Sequence, residues 1–113
     1  MERIVEKTLL YDYYGELLTD HQREIYEEVV FNDMSLSEAA AEYGISRQGV
    51  HDMIRRCDQA MEAYEGKLHL LHQGESIRRR LALLLKKLEE TGMDEASRTE
   101  LIDMTQKIMQ EMD

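Results

Sequence analysis

The chain has 113 residues, a formal net charge of −10, a hydrophobic fraction of 42% and a charged fraction of 34%. This length supports one compact domain, or a small domain with an extension, but not two full hydrophobic cores. Its single cysteine excludes an internal disulfide and a zinc site built from several thiolates. No apolar run approaches the ~20 residues that cross a bilayer, and the charged N-terminus does not resemble a signal peptide. We therefore expect a cytoplasmic protein without membrane insertion.

The charge is unevenly distributed along the sequence. Residues 1–45 contain eleven acidic and three basic residues, whereas residues 67–92 contain six basic and three acidic residues. An acidic surface repels the phosphates of nucleic acids, so the overall charge opposes non-specific binding to DNA. Any contact with a polyanion is therefore expected to be local.

Apolar residues recur at helical spacing and proline is absent, so the sequence predicts an all-α protein. The first helix is expected over residues 2–18. Thr19 with Gln22, and Ser35 with Glu38, match the capping-box pattern, in which each serine or threonine accepts from an amide three residues later. These two patterns predict the starts of the second and third helices.

The most specific pattern is a helix-turn-helix within residues 36–56. Gly44 supplies the positive φ that a short turn needs, and Ser46 is a good N-cap for the next helix. Ala40, Gly44 and Val50 have the spacing at which a small residue, a turn glycine and an aliphatic residue let two helices cross closely. The surrounding apolar positions are expected to be filled by Ala39, Tyr43, Ile45 and Met53.

Exposed positions on the second helix of this motif are candidate nucleic-acid contacts. Arg47 and Gln48, in its first turn, match the edges of guanine and adenine in the major groove. Arg55 and Arg56 suit phosphates, whereas Asp52 is unfavourable beside them. The candidate nucleic-acid-binding residues are Arg47, Gln48, His51, Arg55 and Arg56. The alternative is a purely structural helical unit with solvated arginines.

The fourth helix is expected to continue far beyond the motif and to end near Gly74. From Val50 onward its apolar residues alternate four and three apart, which is typical of a packing seam. The seam comprises Cys57, Met61, Tyr64, Leu68 and Leu71. Cys57 is expected to be a buried hydrophobic residue. The seam needs a partner, either the C-terminal helices of the same chain or a second copy, and we expect a homodimer.

Two further helices are expected in the C-terminal part, and Gly92 and Asp94 are the predicted C-cap and N-cap between them. The first carries a basic cluster of Arg78, Arg79, Arg80, Lys86 and Lys87. Its default interpretation is a solvated face, and the alternative is a surface for RNA or an acidic partner. The predicted domains are a helix-turn-helix domain over residues 1–66 and a helical extension over residues 67–113, which packs on the long helix, a dimer partner or both.

Active-site patterns are missing from the sequence. His69 and His72 have no third ligand at matching spacing, and His51 with Asp52 has no nucleophile nearby. We therefore expect a protein that is not an enzyme and that has no metal site and no cofactor.

Three stretches of the chain resemble the YlxM family of Gram-positive bacteria: residues 18–22, residues 35–50 and residues 64–69. The resemblance covers residues 1–72 and departs at Gly49, where a bulkier residue is more usual. It implies a helix-turn-helix similar to region 4 of sigma factors, in a DNA-binding protein that assists or regulates the signal recognition particle pathway. The implied partners are DNA, the signal recognition particle GTPase and its RNA. A sequence-specific transcriptional regulator is the alternative.

Overall fold

The computed structural model describes residues 3–112, which form six α-helices and no strand. The helices are α1 Arg3–Tyr14, α2 Asp20–Tyr26, α3 Leu36–Tyr43, α4 Arg47–Leu68, α5 Leu70–Glu90 and α6 Glu95–Glu111. A 3-10 turn follows α1 at Gly15–Leu17, and a π-helical turn follows α2 at Glu27–Phe31. The all-α prediction is confirmed. Residue 2, where the first helix was expected to begin, and residue 113 lie outside the described residues.

The helices divide between two compact units, Met1–Leu71 and His72–Asp113. In the described residues the first unit contains α1 to α4 and the first two residues of α5. The second contains the rest of α5 and α6. The boundary follows the predicted end of the helix-turn-helix domain, residue 66, by five residues.

The first unit has two buried clusters. In the first cluster, Leu10 and Tyr14 of α1 pack with Cys57 and Met61 of α4, together with Leu18 and Tyr26. The second cluster joins Ile25 of α2, Ala39 of α3 and Val50 of α4. The π-helical turn serves both, since Val29 packs on the second cluster, and Val30 and Phe31 pack on the first. α4 therefore contacts every other helix of the first unit's core.

Short polar side chains begin four of the helices. Thr19 makes both bonds of its capping box with Gln22. Ser35, Ser46 and Asp94 each accept a hydrogen bond from the amide three residues later. Because these bonds satisfy amides that have no partner inside the helix, the caps set where α2, α3, α4 and α6 begin.

The expectation that the fourth helix continues to Gly74 is wrong, because the helix breaks at His69. This residue has a positive φ of 56°, and its amide donates to the Glu65 carbonyl. The next two amides find tertiary partners: Leu70 donates to the Tyr14 hydroxyl (3.2 Å) and Leu71 to the Glu65 carboxylate (3.0 Å). A heptad spacing in the sequence cannot show such a break, because the break depends on a tyrosine more than fifty residues away.

The prediction that Gly92 is the C-cap of α5 is also wrong. α5 ends at Glu90, and Gly44 is the one glycine with a positive φ in residues 3–112. The carbonyls of Thr91 and Met93 instead accept hydrogen bonds from the guanidinium of Arg98 on α6. Arg98 therefore binds the loop that follows α5, while one of the helix's last carbonyls, that of Lys87, accepts a hydrogen bond from the Thr91 hydroxyl.

Candidate nucleic-acid interface

The two helices of the helix-turn-helix cross at a fully buried contact. Ala39 of α3 and Val50 of α4 are both completely buried, and Ala40 is partly buried beside them. Gly44 has a φ of 68° and donates its amide to the Ala40 carbonyl. No atom lies within 4 Å of where a Cβ on Gly44 would be, so the turn requires glycine for its backbone conformation and not for space.

Gly49 lies next to the cap that begins α4. Ser46 Oγ accepts from the Gly49 amide at 2.9 Å. A Cβ added to Gly49 would lie 3.1 Å from that same oxygen, closer than side chains normally pack. The caps at Thr19, Ser35 and Asp94 form with Gln22, Glu38 and Ser97 at the equivalent position, so the cap of α4 does not by itself require glycine.

Four of the five candidate nucleic-acid contacts lie on one face of α4. Arg47, Gln48, His51 and Arg55 are all exposed, and at helical spacing they fall within an arc of about 100°. Arg56 is exposed as well, but it lies about 100° beyond Arg55. We call Arg47, Gln48, His51 and Arg55 the reading face.

Asp52 lies beside the reading face and is close to three of its members. Its Oδ1 accepts a hydrogen bond from Gln48 Nε2 at 3.0 Å. The same oxygen lies 3.8 Å from His51 Nδ1 and 3.9 Å from Arg55 Nη2. Sequence analysis treated Asp52 only as an unfavourable charge. The spacings to Gln48 (four residues before) and Arg55 (three residues after) were the signal that could have identified it as a positioning residue.

Arg47, a member of the reading face, and Arg56, beside it, differ from Arg55 in their contacts. Neither Arg47 nor Arg56 has a hydrogen bond or an ion pair with another residue in the described part of the chain. Arg47 precedes the Asp52 network in the first turn, where a recognition helix contacts base edges. Its guanidinium is therefore available for an external acceptor.

Tyrosines bound to carboxylates hold α4 in place behind the reading face. The Tyr26 hydroxyl donates to Asp58 (2.6 Å), which also pairs with Lys7 Nζ (3.1 Å). The Tyr14 hydroxyl donates to Glu65 (2.5 Å). Burial, and then the bond to Asp58, raises the pKa of Tyr26 above its ordinary value. Sequence analysis missed these pairs because the partners lie far apart in the chain.

A third tyrosine repeats the arrangement closer to α2. The Tyr11 hydroxyl donates to the Glu27 carboxylate. The ring of Tyr11 stacks on Tyr26 and is tilted against Phe31. Burial raises the pKa of Tyr11 above its ordinary value, and the bond to Glu27 adds to the rise. The acidic residues of the first unit are thus partly engaged in fixing its core.

Most of the predicted packing seam is used inside the first unit. Cys57 and Met61 are fully buried, and Tyr64 and Leu71 are partly buried against the same cluster. Leu68 is about half exposed. Burial raises the pKa of the Cys57 thiol to about 11, which keeps it protonated near neutral pH. The α1 helix of the same chain covers this part of the seam.

The basic cluster lies on α5, in the second unit. Arg79, Arg80, Lys86 and Lys87 are exposed, whereas Arg78 is partly buried. Pairs seven residues apart, Arg79 with Lys86 and Arg80 with Lys87, form two neighbouring rows along the helix. Four of the five predicted residues therefore share one side of α5.

Residues 3–112 contain no group of three or more histidine, cysteine, aspartate or glutamate side chains placed to hold a metal ion. None of the helices among those residues is long and apolar enough to cross a membrane.

Comparison with known proteins gives the chain a family. The UPF0122 family, described as "Putative helix-turn-helix protein, YlxM / p13 like", matches residues 1–111. The chain belongs to the UPF0122 family. The resemblance to YlxM proteins inferred from short stretches of sequence is thereby confirmed, and it extends beyond residue 72.

Relatives span most of this chain. YlxM of Bacillus subtilis is 35% identical over 108 residues, which cover 96% of this chain and 97% of that protein. A UPF0122 protein of Shouchella clausii is 39% identical over 108 residues, covering 96% and 98%. A UPF0122 protein of Thermoanaerobacter is 46% identical over 82 residues, covering 73% and 70%. The family match therefore includes the C-terminal helices as well as the helix-turn-helix.

Proposed function

We propose that this UPF0122 protein is a non-enzymatic regulatory protein that binds DNA through the first two turns of α4. One observation carries the proposal: a tight turn with Gly44 at positive φ and a cap at Ser46 present the reading face to solvent at the start of a helix. That is the position from which a recognition helix enters the major groove. The proposal includes a cytoplasmic location and a likeness of the motif to sigma factor region 4.

The residues of the reading face have different roles in this proposal. Arg47, which has no partner in the described chain, donates two hydrogen bonds to guanine. Gln48 is held by Asp52, so its carbonyl oxygen and second amide hydrogen face the neighbouring base. Arg55 and Arg56, on different sides of the helix, contact phosphates of the two strands. Asp52 fixes Gln48 through their hydrogen bond and lies within ion-pair distance of Arg55.

The charge of the chain sets the kind of binding that we expect. A net charge of −10 repels the duplex outside the contact region. Non-specific affinity should therefore be low, and base contacts should carry most of the discrimination. Few phosphates are contacted, so affinity should fall less steeply with salt than it does for a strongly basic repressor.

Selection from random-sequence duplexes tests the proposal. The bound pool is enriched and sequenced, and affinity for the winning duplex is measured by fluorescence anisotropy at ~50 mM salt and above. Arg47→Ala should weaken binding to the selected duplex about tenfold or more and relax the preference at one base pair. Asp52→Asn should change the preferred base next to it.

Arg79→Ala is the matched control, because it removes the same exposed side chain from the basic cluster of α5. It should leave the affinity for the selected duplex unchanged. The proposal fails if no duplex is enriched and none binds at ~50 mM salt. It also fails if Arg79→Ala weakens binding while Arg47→Ala does not.

We further propose that the protein serves the signal recognition particle pathway, as a homodimer. The YlxM resemblance supports the first part, and the unpartnered apolar residues of the C-terminal helices support the second. Capture from lysate with and without nuclease tests the pathway. Recovery of the targeting GTPase or its RNA supports this role, whereas recovery of promoter DNA alone favours a transcriptional regulator.

A further inference from the structure

The C-terminal helices expose apolar side chains in two ordered strips. On α5, Ile77 and Leu84 are seven residues apart and are 44% and 45% exposed. On α6, Leu101, Met104 and Ile108 are spaced by three and four residues and are 39%, 54% and 48% exposed. Because these spacings return to one side of a helix, each set forms a line along its helix. We call them the α5 strip and the α6 strip.

The two strips have matching lengths. Ile77 to Leu84 and Leu101 to Ile108 both span seven residues, which is about 10.5 Å along a helix axis. A line of apolar residues along a helix is typical of a face that packs against another helix. The α4 seam cannot supply that helix from its core positions, since Cys57 and Met61 are already buried inside the first unit.

We propose that the strips form the contact between two copies of this chain, with the α5 strip of each copy against the α6 strip of the other. Such an exchange makes a symmetric bundle of four helices, in which every strip is covered once. The proposal moves the dimer contact from the α4 seam, where the sequence indicated it, to the second unit.

The charges that border the strips identify a second copy as the partner. Arg80 and Lys87 follow the two members of the α5 strip by three residues each, so they flank it. Glu100 precedes Met104 by four residues, and Glu111 follows Ile108 by three, so they flank the α6 strip. Arg98 and Lys107 also lie three residues from members of the α6 strip, but Arg98 bonds to Glu95 and to two backbone carbonyls, and Lys107 pairs with Asp103. Within the described residues, the charges left without an ion pair are therefore basic beside the α5 strip and acidic beside the α6 strip.

These four flanking side chains are exposed, and none makes an ion pair with another residue that the structure describes. Other bases of the chain do have such partners: Lys7 pairs with Asp58, and Lys107 pairs with Asp103. An acidic foreign protein would account for the basic border but would face the glutamates of the α6 strip with like charge. A second copy places the glutamates of its α6 strip beside the basic residues of the α5 strip, and its own basic residues beside the glutamates.

Sedimentation equilibrium of the full chain tests the proposal directly. The wild type should be a dimer at about 100 µM. Leu84→Glu should weaken the dimer by more than about tenfold, because it puts a carboxylate on the strip that faces the partner's glutamates. Circular dichroism should show unchanged helicity, since Leu84 is already half exposed.

Leu83→Glu is the matched control. Leu83 is 60% exposed, more than Leu84, but it points about 100° away from the strip. This variant should remain dimeric. A monomeric wild type would overturn the proposal, as would an equal effect of the two substitutions.

Reversing the charges beside the strips tests whether the partner is a second copy of the chain or a different molecule. Arg80→Glu with Lys87→Glu, and separately Glu100→Lys with Glu111→Lys, should each weaken self-association. When the two double variants are mixed, opposite charges again border every contact, and a heterodimer should form. Failure of the mixture to associate would contradict the proposal. The assay contains no DNA, so its outcome does not depend on the proposed DNA binding.

Discussion

The two units of the chain bury large apolar side chains to different extents, although the first unit also exposes Ile4, Val5, Leu17, Leu68 and Leu70. The first unit fully buries large apolar side chains from three helices, such as Tyr14, Ile25 and Met61. In the second unit Leu88 is buried, but Ile77, Leu83, Leu84, Leu101, Met104 and Ile108 are exposed. An apolar stripe in a sequence shows that a helix face is suited to burial. It does not show whether the residues that bury this face belong to the same chain or to another one.

This difference separates two tasks. In the first unit, α1, α2 and α3 pack against α4. The helix that carries the reading face is therefore held by a core formed within one chain. The second unit carries uncovered strips and the basic cluster, which are features of association surfaces. DNA reading and self-association are therefore expected to respond to different substitutions.

The largest expected difference is between two methionine-to-alanine substitutions, one in each unit. Met61→Ala removes a side chain with 0% exposure and should lower the free energy of unfolding by about 2–5 kcal/mol. Met104→Ala removes one that is 54% exposed and should change it by less than about 0.5 kcal/mol. Urea unfolding of the protein at concentrations where it is monomeric measures both. Equal losses would show that the second unit buries Met104 after all.

Removing the Tyr26 hydroxyl should have the next largest effect. Tyr26→Phe loses a hydrogen bond to the Asp58 carboxylate and should destabilise the protein by about 1.5–3 kcal/mol near neutral pH. Tyr13→Phe is the control, because the Tyr13 hydroxyl has no hydrogen bond with the described residues. It should be nearly neutral in the same unfolding experiment.

The contribution of Tyr26 should disappear in alkali. Its pKa is raised above 10.0 in the folded chain, so below pH 10 the phenol is protonated in both folded and unfolded states. Above pH 10 the unfolded chain loses this proton first, and the free energy of unfolding falls as pH rises. The difference between wild type and Tyr26→Phe should therefore shrink above pH 10. A difference that grows with pH would contradict the assigned direction.

Glycine substitutions should give smaller effects of opposite sign. Gly44→Ala forces a side chain into a φ of 68° and should cost about 1–2 kcal/mol. Gly66→Ala lies inside α4 with open space around the added Cβ, and should stabilise the protein by about 0.5–1 kcal/mol. Thermal unfolding of both variants tests the turn, and equal signs would mean that Gly44 is not needed for its conformation.

Sequence reasoning reached the fold through local rules. The caps at Thr19, Ser35, Ser46 and Asp94 depend on bonds within a few residues, and the structure contains all four. The turn glycine at Gly44 is local in the same sense. Local rules also selected the reading face, because exposure on α4 follows from helical spacing.

Features that depend on distant residues were missed. The break at His69 is stabilised by Tyr14 and Glu65, and the loop after α5 is bound by Arg98 of α6. Asp52 is a different case, because its partners are close to it in the sequence. Its charge was considered only in relation to DNA phosphates, and its hydrogen bond to Gln48 was missed. Local spacing therefore predicted where α2, α3, α4 and α6 begin, but not where α4 and α5 end.

Mapping the contact by nuclear magnetic resonance tests the central claim most directly. Isotope-labelled full-length protein is titrated with the selected duplex, and backbone amide shifts are followed. The largest changes should fall on residues 46–56, at the start of α4, while residues 78–87 of α5 remain unchanged. Changes confined to residues 78–87, with none on α4, would contradict the assignment of α4 as the helix that reads DNA.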